Sequence, residues 1–113
     1  LKRMIIAFAA FLAPSCATAP AGSAAGIRNN DPVVQVATSK SAEELTRCMS
    51  LKFVDIYGSP NVMRTETGAT IIVGAPPEIV VDVIDRSLVS LFMAKKLWGS
   101  VDDKYRAAVQ ACA

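Results

Sequence analysis

Ile79-Val80-Val81-Asp82-Val83-Ile84-Asp85-Arg86-Ser87-Leu88-Val89-Ser90-Leu91-Phe92-Met93-Ala94 is the stretch on which the fold turns. Two readings compete. As a helix, Pro77 would sit in the first turn, Glu78 would face the positive end, and Ile79, Val80, Val83, Ile84, Leu88, Leu91 and Phe92 would share one side. As strands, Ile79 to Asp85 and Leu88 to Ala94 would pair across a turn at Asp85-Arg86-Ser87. The strand reading is preferred, because Ile79, Val80, Val81, Val83 and Ile84 are β-branched and no alanine or leucine stands among them. The turn lacks the Gly or Asn that a tight hairpin favours, and this is the argument on the other side.

Upstream of this stretch, Ala69-Thr70-Ile71-Ile72-Val73 is another β-branched run, closed by Gly74 and Pro76-Pro77. Before it, Val62 to Glu66 reads as a polar-flanked edge strand, with Thr67-Gly68 turning the chain. Further upstream, Ser41-Ala42-Glu43-Glu44 fits a capping box, in which Ser41 receives the N3 amide and Glu44 reaches back. Leu45, Cys48, Met49, Phe53 and Ile56 then recur at helical spacing, and Gly58 and Pro60 stop the helix, predicted over 42–57. Downstream, Ser100 caps a last helix whose first turn carries Asp102 and Asp103. Val101, Tyr105, Ala108, Val109 and Cys112 share its inner face. The expected fold is therefore α+β: an antiparallel sheet of three to four strands, with an N-terminal and a C-terminal helix packed on one face, in the order α-β-β-β-β-α.

The front of the chain has a different character. Lys2 and Arg3 precede the ten-residue apolar block 4–13, the layout of a secretory signal, and the block is well short of the ~20 residues that span a bilayer. Because Met4 as a start would leave the block without its positive head, initiation at or before residue 1 is expected. Residues 1–21 are read as the signal and 40–113 as a single domain. Between them, 22–39 is read as a tether, since its Ala, Gly and Ser and the flanking Pro20 give no core.

Charge follows the same division. The chain holds 12 basic and 10 acidic residues, a formal +2, and Lys2 and Arg3 account for that excess. The rest is neutral and carries no electrostatic footprint for nucleic acid or anionic lipid.

The three cysteines are Cys16, Cys48 and Cys112. Cys16 follows the apolar block in Leu12-Ala13-Pro14-Ser15-Cys16, which resembles the lipobox of bacterial lipoproteins. There a small residue precedes a cysteine whose thiol accepts diacylglycerol. The usual pattern has Leu three residues before the cysteine, where this chain has Ala13. Ordinary signal cleavage after Ala21, or with Thr18 as first mature residue, is the competing reading. Either way Cys48 and Cys112 remain, both on inward helical stripes, and in an oxidising compartment they are expected to form a disulfide. Closing a loop of ~64 residues would contribute ~4 kcal/mol in the chain-entropy description.

In layout the whole chain resembles small bacterial envelope lipoproteins of uncharacterised function, although only the first 30 residues carry anything like a motif. The resemblance implies an envelope location: the periplasmic face of the outer membrane if Cys16 is lipidated, since Ala17 is not the Asp associated with inner-membrane retention, and otherwise the soluble periplasm or the exterior. It carries over no catalytic residue and no cofactor.

The chain has no histidine, which removes Ser-His and Cys-His nucleophilic pairs and imidazole metal ligands. It has no Cys-x-x-Cys spacing and no Gly-rich phosphate loop. Asp82 with Asp85, or Asp102 with Asp103, are the candidate acid/base or calcium pairs; adjacent acids at a helix start more often serve the helix dipole. Lys95-Lys96-Leu97-Trp98 reads as solvated lysines with Trp98 over a core edge, or as a ligand or envelope-surface patch. Two functions stay open. One is a non-enzymatic envelope module that binds or assembles with another protein or the cell wall, with no catalytic, metal or cofactor site. The other is a small hydrolase or lyase using carboxylates with Arg64 or Lys95.

Overall fold

The computed structural model describes residues 23–94 and 100–113. It contains a one-turn helix α1 (Ala24–Ile27), strand β1 (Val34–Ala37), helix α2 (Ala42–Val54), strands β2 (Pro60–Arg64), β3 (Gly68–Val73), β4 (Ile79–Ile84) and β5 (Leu88–Met93), and helix α3 (Val101–Cys112). The five strands form one antiparallel sheet in the order β1-β5-β4-β3-β2. The class is the α+β arrangement expected from the sequence, with the deciding stretch forming two strands.

The sheet has one strand more than expected, and the extra one comes from the stretch read as a tether. Val34-Gln35-Val36-Ala37 alternates with period two in its burial, and Val34 and Val36 turn to the core side opposite Leu91 and Val89. A four-residue strand next to Pro32 and a polar run gives a weak signal, and its pairing with β5 is visible only in three dimensions. α1 and β1 both belong to the domain, so the described part of that stretch, 23–39, does not stand apart from it.

From β2 to β5 the chain is a plain meander. α2 connects β1 at one edge to β2 at the other and crosses the sheet to do so, while α3 lies towards β5 and β1. The two helices thus share one face. Beneath them the period-two alternation brings Ile71 and Val73, Ile79, Val81 and Val83, and Val89, Leu91 and Met93 to the same side. Leu45, Met49 and Phe53 of α2 and Tyr105, Ala108 and Val109 of α3 close over them. Phe53 and Tyr105 meet edge to face, 4.9 Å between ring centres. Cys48 and Cys112 are joined by a disulfide, so the first long helix and the last are covalently linked across 64 residues.

The β4–β5 turn forms without Gly or Asn because other parts of the fold hold it. Arg86 takes a left-handed φ of 55°, its amide donates to the Lys40 carbonyl at 3.0 Å, and its guanidinium donates to the Ser39 carbonyl at 3.2 Å. At Gly68 the reason for glycine is proximity: a Cβ there would collide with the Val83 carbonyl on β4.

The helix starts differ from expectation in detail. Ser41 does accept from the Glu44 amide, at 3.2 Å, and Asp85 from the distant turn accepts from the Ala42 amide at 2.7 Å. Ser100 makes no side-chain cap; instead the buried Asp102 accepts from the Asp103 amide at 2.9 Å. α2 ends at Val54 rather than Tyr57, with Asp55 and Ile56 continuing in tighter three-residue turns.

Candidate functional site

The carboxylates read as acid/base pairs are drawn into structural contacts or left on the surface. Asp82 and Asp85 are three residues apart on or just beyond one strand. Asp82 projects from the face opposite the helices, and Asp85 leaves the strand end to cap α2. Asp102 is occupied at the start of α3, and Asp103 follows it on the helix surface. Arg64 lies 3.7 Å from Glu43 in an exposed ion pair. Cys16 and Lys95 to Trp98 lie outside the described residues.

Around the α2 start, an open hollow of about 550 Å³ is lined by Ser41, Glu43, Arg64, Glu66, Asp85 and Arg86. Its charges are mixed, and the polar groups best placed to hold a ligand are already engaged. Asp85 and Ser41 serve helix amides, and Arg86 serves Ser39. Among the described residues, no group of three His, Cys, Asp or Glu side chains could hold a metal ion, and no helix is long and apolar enough to cross a membrane.

The most organised polar chemistry lies on the second face of the sheet. There the cross-strand partners Thr70, Asp82, Ser90 and Gln35 form a row over β3, β4, β5 and β1. Gln35 Nε2 donates to Ser90 Oγ at 3.1 Å, and Thr70 Oγ1 donates to Asp82 Oδ1 at 2.8 Å. Arg28, just past α1, is laid over this row. Its Nε donates to Asp82 Oδ2 at 2.7 Å, and one terminal nitrogen donates to Asp82 Oδ1 at 2.8 Å and to Thr70 Oγ1 at 3.2 Å. The guanidinium fork therefore engages both carboxylate oxygens, and hydrogen bonding to Asp82 holds the Arg28 proton more tightly than usual.

Beside the polar row runs an apolar one, Ile72, Val80 and Phe92, with Val80 fully buried. α1 packs against β4 on this face, and Ile27 is only 1% exposed. Asn30 Nδ2 donates to the Met93 carbonyl at 3.0 Å, fixing the exit of the segment. The sequence reading misses Ile27, Arg28 and Thr70. One signal was present: Ile27 is the only large aliphatic residue between Leu12 and Val33, an unexpected investment for a flexible tether.

On the helical side, one buried hydroxyl is fixed with similar care. Tyr105 donates to the Tyr57 carbonyl at 2.7 Å, and Tyr57 in turn donates to Glu78 at 3.2 Å. Burial pushes the Tyr105 phenol up to about 12, with smaller contributions from Tyr57 and Glu78, which keeps it a neutral donor. Lys40 Nζ donates to the Cys112 carbonyl at 2.8 Å, a cation at the negative end of α3. No protein family matches this chain, and the search of curated proteins and of solved structures gave no significant match.

Proposed function

We propose that this chain is an exported envelope protein, anchored to a membrane through lipid on Cys16, that works as a non-enzymatic binding or assembly module. The observation that carries the reading is the distribution of its cysteines. Cys48 and Cys112 are bonded to each other, so Cys16 is left out of that bond. It stands directly behind a short apolar block with a basic head, where a lipid-accepting thiol would be needed. A disulfide between two helices is also the kind of link that persists outside reducing compartments. The scattered, structurally occupied carboxylates support binding rather than chemistry as the domain's work.

The test is intact mass and fractionation of the native product. A lipid-modified N-terminus at Cys16 and recovery with membranes are expected, and Cys16→Ser should move the folded domain into the soluble periplasmic fraction. A soluble, unmodified product beginning at Gly22 or Thr18 would refute the anchor.

A further inference from the structure

We propose that the second face of the sheet is a docking site for a protein segment that carries an aliphatic residue followed by arginine, and that Ile27–Arg28 fills this site in cis. The inference gives the binding role above a partner chemistry; it rests on that role and is independent of the anchor. Three features of the face point to it.

The first is charge complementarity. Asp82 is the only acidic side chain in the cross-strand row, and it sits on the middle strand of the sheet with the Thr70 hydroxyl donating to one of its oxygens. A planar guanidinium satisfies both oxygens at once, as Arg28 does; a lysine, with a single ammonium, could not reproduce the fork.

The second is the socket beside it. Ile72, Val80 and Phe92 provide an apolar strip two residues along from the carboxylate row on the same face, which gives an aliphatic side chain a place beside the arginine. With Arg28 laid over Thr70 and Gln35 bonded to Ser90, these two hydroxyl residues are 3% and 7% exposed.

The third is how small the present occupant is. α1 has four residues, a single turn, whereas helices below ~12–15 residues do not persist unaided in water. Its ionic contact is about a third solvent-exposed, 37% for Arg28 and 29% for Asp82, and is therefore open to screening by salt. A segment attached to the same chain has the advantage of proximity, so a partner in trans meets a site that is mostly closed, and its apparent affinity falls by the fraction open.

The experiment uses the full chain and a labelled synthetic peptide of residues 23–31, Ser-Ala-Ala-Gly-Ile-Arg-Asn-Asn-Asp, as the probe. The peptide should bind the Arg28→Gln chain at least about tenfold more tightly than the unaltered chain, because the substitution opens the site. Binding should weaken with salt, and it should vanish when the peptide's arginine is replaced by glutamine or when Asp82→Asn is added to the chain. On the unaltered chain, hydrogen exchange at the amides of Gly26, Ile27 and Arg28 should be faster than in β4 and should accelerate with salt. Equal peptide binding to the two chains, or binding indifferent to Asp82→Asn, would overturn the proposal. So would exchange at 26–28 that occurs only with β4, or chains that merely swap this segment to form dimers. Membrane fractionation reports on the anchor separately, so failure of one idea leaves the other standing.

Discussion

The two faces of the sheet are closed by different means. On one, sixteen buried residues of two long helices and three strands interlock, and a disulfide fastens the helices to each other. On the other, a single helical turn presses one isoleucine and one arginine against the strands. Apolar burial is not screened by salt and grows with area, whereas an ion pair about a third exposed is weak and screened. The difference teaches that the domain's stability resides in the helical face, which frees the second face to open without unfolding the rest.

The largest effect on this comparison should come from the helical core. Phe53 is fully buried and packs edge to face with Tyr105. Phe53→Ala is expected to lower stability by about 3–5 kcal/mol, measured by urea denaturation. Domains of this size have about 5–15 kcal/mol in all, so the variant should sit near its unfolding threshold at ambient temperature. Loss confined to less than about 1 kcal/mol would mean that the helical face is not the stable half.

The disulfide comes next. Changing Cys48 and Cys112 together to Ala releases a link spanning 64 residues and should cost about 2–5 kcal/mol. Thiol labelling of unreduced protein under denaturing conditions should find neither cysteine reactive. The same double variant should leave segment 23–30 docked, since Arg28 bonds to Asp82 and Thr70 on the face opposite the helices.

How much of this was legible beforehand depends on whether a residue's partner is near in sequence. Ser41 with Glu44, and the apolar stripe from Leu45 to Phe53, are local signals, and α2 could be read from them. Ile79 to Ile84 could be read as a strand because β-branching disfavours a helix wherever its partner lies. The pairing of Val34 to Ala37 with β5 was not legible, since it joins positions over 50 residues apart through a four-residue strand. The Arg28–Asp82 contact spans 54 residues and connects an apparent tether to what seemed a candidate catalytic acid. Asp82 stood out only as a candidate acid beside Asp85, and the residue that explains it lies in the stretch read as a tether. Arg86 shows the same limit in reverse. The turn looked poor because the contacts with Ser39 and Lys40 that hold it are not local.

A smaller effect distinguishes the Tyr105 hydroxyl from its ring. Tyr105→Phe keeps the packing with Phe53 and removes the hydrogen bond to the Tyr57 carbonyl, which should cost about 1 kcal/mol near neutral pH. The pH dependence gives the sharper readout. The phenol is held up to about 12 in the folded state, and an exposed tyrosine titrates near 10. Above pH ~10 the unfolded chain loses this proton while the folded chain keeps it, so stability falls as pH rises towards 12. The contribution is fully present below pH ~10. Comparing the two proteins across that window cancels the other titrating groups, and Tyr105→Phe should show the shallower decline. Identical declines would mean that this phenol is not held protonated by the fold.

The smallest expected effect bears most directly on the contrast between the faces. Arg28→Ala and Asp82→Ala, with the double variant, form a cycle that isolates the energy of their contact. Because the pair is about a third exposed, the coupling should be no more than about 1 kcal/mol at low ionic strength, even with the guanidinium fork engaging both oxygens. It should shrink as salt approaches ~1 M, where charges are screened within ~3 Å. Ile27→Ala should be insensitive to salt, since what it loses is apolar burial. If the coupling instead exceeded about 2 kcal/mol and ignored salt, the ion pair would be acting as a buried structural bond. The second face would then be as firmly shut as the first, and the contrast between them would collapse.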